Sequence, residues 1–337
     1  MARKSRWVQQ KIDSLDPETQ YDEILRLVAD YRIQPVFMNL MHVVALGGSV
    51  LPLDGSELVM ATGNMIHRSE DRFNGTADAF FTWFANGSNS EVTRKSVERL
   101  NRYHLGMAKR YPKIDQFNRN DDWLYSTCAL GLFGVRLREA LGLPPESERM
   151  NIAWHHFLRD LSRHLRGQHG PVVDFPEDFA AMRRLVEEFE NRPWPQTENG
   201  RLIMESVVQG VCDRTFPRPL HWFGRTLALL ITPEPIRRAH RMGDPGRFAG
   251  PFVRAVTRTA ITLMERFAPD PKEPFTEVVW KSEEYKQKVA KRNARMKRIH
   301  DERLRRGELP PPPETATPKQ AILGEDASIR TVGSGTL

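Results

Sequence analysis

Cysteine is nearly absent. Cys128 and Cys212 are the only two in 337 residues, far apart and in no C-x-x-C pair, which excludes a disulfide framework and a thiolate zinc site and points to a reducing, cytoplasmic setting. Also missing are G-x-G-x-x-G after a strand, G-x-x-x-x-G-K-[ST], H-E-x-x-H and G-x-S-x-G, so dinucleotide, nucleotide, zincin and α/β-hydrolase chemistry lack their anchors. An enzyme without them borrows its reactivity most naturally from a bound cofactor. Long apolar runs are lacking too. Ile33 to Leu53 carries no charge, but Gln34, Pro35, Asn39, His42, Gly47, Gly48 and Pro52 interrupt it, and it reads as a buried helix rather than a membrane span. The basic start, Met1 to Val8, is followed by Gln9, Gln10, Lys11 and Asp13 instead of an apolar stretch, so no secretory signal is expected. Alternating strand-type runs and internal repeats are also scarce, which disfavours sheets and solenoids.

What is present is a globular composition, 28% charged and 39% hydrophobic, with helix signals throughout. Asp16-Pro17-Glu18, Asp174-Phe175-Pro176-Glu177-Asp178 and Thr232-Pro233-Glu234 each place proline and acid where a first helical turn tolerates them. An all-α fold of roughly ten or more helices follows. We divide it into an N-terminal arm (1–20) with a small helix from Trp7 to Leu15, a single large domain (21–270), a basic helix (271–306) and a Pro-rich tail (307–337) expected to be disordered. The net charge is +7, and Lys281 to Arg306 holds eleven Lys or Arg against four acids, so that segment accounts for the whole excess. It is either a solvated terminal helix or a peripheral patch for an anionic surface, membrane or nucleic acid, with membrane preferred because a neutral body is not a domain built to grip DNA.

Within the large domain, Phe73, Ala77, Phe80, Phe81 and Phe84 recur at helical intervals between Asp71 and Ala85, and Arg72 and Thr76 share another face of that helix. After the turn Asn86-Gly87-Ser88-Asn89, Ser90 can cap a second helix whose inward stripe is Val97, Leu100, His104 and Met107. His104 is then either a hydrogen-bonded core residue or a ligand. Glu57 follows Ser56, which can cap a helix; the acid either compensates the helix dipole or enters an apolar pocket beside Leu58, Val59 and Met60, where desolvation would make it a usable base. Arg68 and Arg72, four apart, repel unless an anion lies against them. His155, His156 and Asp160 have a spacing that a metal-dependent phosphohydrolase could use, although Arg159, Arg163, His164 and Arg166 around them read as an exposed face.

Taken in order, several of these segments resemble the MpaB-type oxygenases and rubber oxygenases (latex clearing proteins), which share a b-type haem domain. Phe37-Met38-Asn39-Leu40-Met41-His42 resembles the family's first buried helix. Arg72-Phe73-Asn74-Gly75-Thr76 is similar to its R-x-x-x-T element, Arg102-Tyr103-His104 to the segment with the haem-ligating histidine, and Asn120-Asp121-Asp122-Trp123-Leu124-Tyr125 to the start of the next helix. His156 to Pro176 and Leu220 to Arg225 also look like family segments, and the likeness runs from about Tyr21 to Val256.

The resemblance implies a single helical haem-binding domain, a globin-like core with extra helices. His104 would be the iron ligand of haem b, Arg72 and Thr76 the polar residues near it, Arg68 and Arg72 partners for its propionates, and Glu57 the base. Where rubber oxygenases place a lysine before the threonine, this chain has Gly75, which leaves the distal side open. The implied activity is oxygenation by O2 of an unsaturated hydrophobic substrate of isoprenoid or lipid type, with cleavage of a C=C bond as one outcome. Peroxidase-like haem chemistry, and a non-enzymatic helical protein docking to an anionic surface, are the alternatives.

Overall fold

In the computed structural model of the protein, residues 6–33, 35–116 and 119–313 are described. They form fifteen α-helices: α1 (Trp7–Ser14), α2 (Tyr21–Tyr31), α3 (Pro35–Ser49), α4 (Leu53–Thr62), α5 (Asn64–His67), α6 (Ser69–Asn86), α7 (Glu91–Arg110), α8 (Asn120–Leu141), α9 (Glu148–Ser162), α10 (Phe179–Glu190), α11 (Glu198–Thr215), α12 (His221–Ile231), α13 (Glu234–Ala239), α14 (Ala249–Phe267) and α15 (Glu283–Arg305). The strands are a two-residue pair, Arg166–Gly167 with Gly170–Pro171, antiparallel. The fold is all-α.

Helix starts follow local chemistry more closely than the proline–acid signals suggest. Asp16-Pro17-Glu18 is a turn, not a first helical turn: the Asp16 carboxylate accepts from the Glu18 amide (3.1 Å) and the Thr19 hydroxyl (2.7 Å), bonds that compete with a helix. Helix α10 begins only after Asp178, whose side chain caps it by accepting from the Ala181 amide at 2.6 Å. Ser56 is not a cap, because α4 already starts at Leu53 behind extended Pro52, and its hydroxyl donates instead to the Leu53 carbonyl at 2.9 Å. The Thr232-Pro233-Glu234 and Ser90 signals hold: Pro233 precedes α13, and the Ser90 hydroxyl accepts from the Thr93 amide at 3.1 Å. The apolar stretch expected as a buried helix is α3, with α4 following at a bend of 120°. Among the described residues no single helix is long and apolar enough to cross a membrane.

Helix α3 packs against α8, α11 and α6, and lies at the junction of two apolar clusters. One holds Met38 and Met41 with Phe73, Phe84, Trp123 and Phe157; the other holds Val43, Val44 and Leu46 with Val207, Val211 and Leu227. The α3–α8 approach is close because Gly48 has no side chain, and a Cβ there would sit inside the Tyr125 hydroxyl. That phenol cannot swing aside freely. It donates to Glu190 Oε1 at 2.9 Å, while Arg136 grips the same carboxylate with two bonds of 2.7 and 2.9 Å. The Glu190 side chain is 2% exposed, so the pair is shielded from water and ties α8 to α10.

Two segments outside the expected large domain are built into this core. Val8, Ile12 and Leu15 of the N-terminal arm are buried in the first cluster. Helix α15 lies on the body: Arg292 donates to Asn74 Oδ1 (2.5 Å), Arg295 to the Asp213 carbonyl (2.5 Å), and Met296 is buried. The segment before α15, Phe275–Val279, packs on Phe81, and Thr276 donates through its amide (2.9 Å) and hydroxyl (2.5 Å) to buried Asp30. Of the tail, residues 314–337 lie outside the described residues.

Removing one partner of the buried Arg136–Glu190 pair leaves an uncompensated charge, which costs about 3–5 kcal/mol. Arg136→Met is therefore expected to lower the urea midpoint sharply. Arg136→Met with Glu190→Met and Tyr125→Phe, which leaves no orphaned hydroxyl, should recover most of that loss, and chemical denaturation of both variants checks it.

Candidate cofactor pocket

Helices α6 and α7 are joined by the turn Gly87–Ser90 and pack on one another, which brings the Arg72/Thr76 helix alongside the His104 helix. The turn is fixed by Gly87 at φ 81° and by Asp22, whose carboxylate accepts from the Ser88 amide at 2.8 Å. On α7 the predicted stripe is graded: Val97 and Met107 are buried, Leu100 and His104 half-buried. The His104 ring lies 5.1 Å from the Trp123 ring of α8 and 5.7 Å from that of Tyr103.

The apolar packing divides at this imidazole. Tyr103 belongs with Leu58 and Met107 to a small third cluster, whereas Trp123 belongs to the main one. The small cluster fastens α4 and α5 to α7, helped by Asn64 donating to the Tyr103 hydroxyl (3.3 Å) and Tyr111 to the Ala61 carbonyl (3.2 Å).

A cationic corner occupies the other end of the region. Glu70 receives Arg214 at 2.5 Å and Arg292 at 3.4 Å. Arg214 has a side chain only 1% exposed and also donates to Asn39 Oδ1 at 2.7 Å. Both guanidiniums stack on the Phe73 ring, at 4.6 and 5.4 Å. Arg72 stands two residues beyond Glu70, half-buried, and its Nε is enclosed without a hydrogen-bond partner. His42 of α3 packs edge-on against Phe73 at 5.8 Å, and its Nε2 is likewise buried without a partner. Burial, then the charges of Arg72 and Arg214, push the His42 ring down to about 3, so it is neutral. Arg214 and Arg292 thus share the Glu70 carboxylate, with Arg72 close by in sequence and Asp213 acting on Arg214 from a distance.

The remaining predicted residues are placed as follows. The Thr76 hydroxyl donates to the Arg72 carbonyl at 3.0 Å, which leaves its lone pairs as acceptors. Arg68 is exposed and sits just ahead of α6. Glu57 is half-buried on α4, three residues after Asp54, and the two share a helix face. Asp54 meets Arg119 at 3.5 Å, and Arg119 also meets Asp122 at 3.2 Å, which draws that face toward the start of α8 beside Trp123. Burial raises the Asp122 carboxyl to about 6 against the pull of Arg119.

Sequence reasoning passed over His42, Arg214 and Asp122. Each has an ordinary local reading: an interrupter of an apolar run, a cation at a helix C-terminus and an acid in a first helical turn. Of the basic face expected around His155, His156 and Asp160, Arg163 and Arg166 are exposed and Arg159 and His164 half-buried. His155 and Asp160 are 5% and 3% exposed, and Asp160 is used up by Tyr21 (2.5 Å), Asn89 (2.8 Å) and Arg163 (3.0 Å). His155 bonds the Pro176 carbonyl at 2.9 Å and His156 pairs with Glu18, so these groups pin α9 to α2 and to neighbouring loops.

Among the described residues no three His, Cys, Asp or Glu side chains are grouped to hold a bare metal ion. A porphyrin brings four nitrogens of its own and asks the protein for one imidazole, an apolar slot and cations for its carboxylates. Among the described residues, His104 beside Trp123 supplies the imidazole of that donor set, and Arg72, whose Nε is enclosed without a hydrogen-bond partner, supplies a cation. Comparison with protein-family models and with curated proteins gives no match for this chain.

The state of His42 sets a pH dependence. Its pKa in the fold lies below the ordinary 6.5, so the stability it confers is complete above pH 6.5 and is lost as pH falls toward 3. Replacing it by leucine should shrink the stability difference between about pH 7 and pH 5 by about 2 kcal/mol, roughly one proton's linkage over that window. Urea titrations of His42→Leu and the parent at the two pH values measure this.

Proposed function

We propose that this chain is a haem b-dependent oxidoreductase that oxygenates an unsaturated hydrophobic substrate. The observation that carries the reading is the pairing of a half-buried imidazole, set where the apolar packing divides, with a buried corner that holds more arginine than carboxylate. The sequence resemblance to MpaB-type and rubber oxygenases supports it from a separate direction.

In this reading the His104 imidazole would hold the haem iron, its ring oriented by contacts with Tyr103 and Trp123. Arg72, with Arg68 nearer solvent, neutralises the carboxylates at the edge of the macrocycle. The haem supplies dioxygen binding and electron transfer. Thr76 offers a hydroxyl oxygen whose proton is already committed to the Arg72 carbonyl, so it accepts rather than donates toward a polar group in the pocket. Glu57 takes a proton from the carbon next to the double bond. The neutral His42 ring adds no positive charge to a corner that already holds three cations. Leu58, Phe73 and Trp123 are buried apolar side chains of the region, which would keep water away and suit an isoprenoid or lipid-like chain.

A second reading, docking to an anionic membrane surface through α15, is favoured by one feature. While Arg292 and Met296 fasten the helix, Lys288, Lys291, Lys297 and Arg298 all face outward.

Protein produced with haem supplied should show a Soret band and about one haem per chain, as one imidazole ligand requires. His104→Ala should empty the site and His156→Ala should keep it filled, since His156 pairs with Glu18 and stacks on Tyr21 at the α2–α9 contact, away from His104. A colourless parent protein, or equal loss in both variants with unchanged helicity, would overturn the proposal. In the loaded protein Glu57→Gln should lower turnover by about 10²–10⁴-fold without changing the haem content, the range for loss of a general base.

A further inference from the structure

Helix α15 is held unevenly along its length. Its inward side runs through Arg292, Met296, Ile299, His300, Arg303 and Leu304, the three- and four-residue spacing of one helical face. Arg292, Arg295 and Met296 anchor the middle of the helix. Among the described residues, two polar contacts tie its last turns to the body. His300 Nε2 faces His67 Nδ1 of α5 at 3.3 Å, with the two rings edge to face at 90°. Glu302 meets Arg218 at 3.9 Å, but Arg218 is 79% exposed, so this second tie is weak.

After Arg306 the chain reverses at Gly307, which adopts φ 68° and donates to the Leu304 carbonyl at 3.0 Å. It returns through half-buried Leu309 and Pro310 to Pro313, beside Gly63 at the α4–α5 elbow. Gly63 has φ 64°, and a Cβ there would come 2.9 Å from the Pro313 ring and 3.5 Å from the His67 ring. The helix end and the returning segment therefore grip the same short element, one at His67 and the other at Gly63.

Two facing ring nitrogens can hydrogen-bond only while one of them keeps a lone pair, and a charged imidazole has none. His300 Nδ1 faces Asp301 Oδ1 at 3.4 Å, which places the neutral ring's proton there and turns its Nε2 lone pair toward the His67 N–H. A first added proton is accommodated by a change of tautomer on the other ring. A second sets N–H against N–H and charge against charge. We propose that His67 and His300 form a proton-operated latch, closed at neutral pH, whose opening frees the last turns of α15 and the segment to Pro313 from the α4–α5 elbow. Burial, then the facing His300, hold the His67 pKa below the ordinary 6.5, so the neutral ring belongs to the closed state: the contact is complete above pH 6.5 and is lost as pH falls. Of the charged groups on the surrounding elements, Glu70 of α6 is taken by Arg214 and Arg292, Asp213 of α11 accepts from Gln209 at 3.2 Å, and Arg303 pairs with Glu308 at 3.4 Å. The Tyr103 hydroxyl of α7 accepts from Asn64, Arg72 and Glu57 are half-buried on α6 and α4, and Arg68 and Lys297 are exposed. Among the described residues none of these bonds either ring. The latch uses neither His104 nor Arg72 and operates with or without haem.

Spin labels at Glu98→Cys on α7 and Arg305→Cys on α15, both exposed positions, report the distance across the latch by pulsed electron spin resonance; the native Cys128 and Cys212 are buried. One narrow distance is expected at about pH 7.5 and a broad distribution at about pH 5, with circular dichroism unchanged. In His300→Gln and in His67→Gln the amide can donate or accept at either pH, so the narrow distance should persist at about pH 5. His42→Leu, which removes the other buried imidazole that titrates at low pH, should release as the parent does. The proposal is overturned if the parent keeps one distance at both pH values, if the glutamine variants release as the parent does, if His42→Leu abolishes the release, or if helicity collapses along with it. It is equally overturned if a chelator opens the latch at about pH 7.5, since a metal rather than a hydrogen bond would then hold it.

Discussion

One carboxylate organises the cationic corner of the molecule. Glu70, itself only 12% exposed, draws Arg214 and Arg292 out of water and onto the Phe73 ring, and in doing so joins α6, α11 and α15 at one point. Desolvating two guanidiniums against one acid is costly, and a third arginine nearby increases the deficit of negative charge. The neutral state of His42 follows first from its burial and then from the charges of Arg72 and Arg214. An anionic ligand seated at Arg72 would complete the balance, which is why the corner and the imidazole of α7 are best understood together.

The frame that holds this corner is covalently simple but sterically exacting. Gly48 lets α3 lie against α8, and Tyr125, held by Glu190, fills the space that a side chain there would need. Arg136 then fixes Glu190. The result is that α3, which bears His42, and α8, which bears Trp123, are held at a set separation by a hydrogen-bonded network rather than by apolar packing alone.

How much of this could be read in advance depended on range. The all-helical character, α1, the α6 and α7 periodicities, and the Ser90 cap were legible because they rest on contacts within a few residues. The starts of α2, α4 and α10 shifted because Asp16, Pro52 and Asp178 each offered a local bond or dihedral stronger than the proline–acid pattern. Asp160 looked exposed because its neighbours in sequence are arginines; its true partners, Tyr21 and Asn89, are distant in the chain. The same limit hid Arg214 and Asp122, whose roles exist only once α6 meets α11 and α4 meets α8. A free terminal helix was one expectation for α15, but it is instead fastened by Arg292, Arg295 and Met296, which no count of charges along a segment could reveal.

The closure between the two ends of the described chain bears on how the protein is made. The Val8 amide bonds Asp270 across 262 residues, and Asp30 receives Thr276 across 246. At ribosomal speeds of about 5–20 residues per second, the first helices wait roughly 13–50 seconds for these partners to emerge. Through that interval Asp30 has no Thr276 to bind it, and Phe81 has no Phe275 to cover it. Nascent chains therefore present a sticky, half-finished surface for most of their synthesis, a stage at which chaperone capture would compete with self-association.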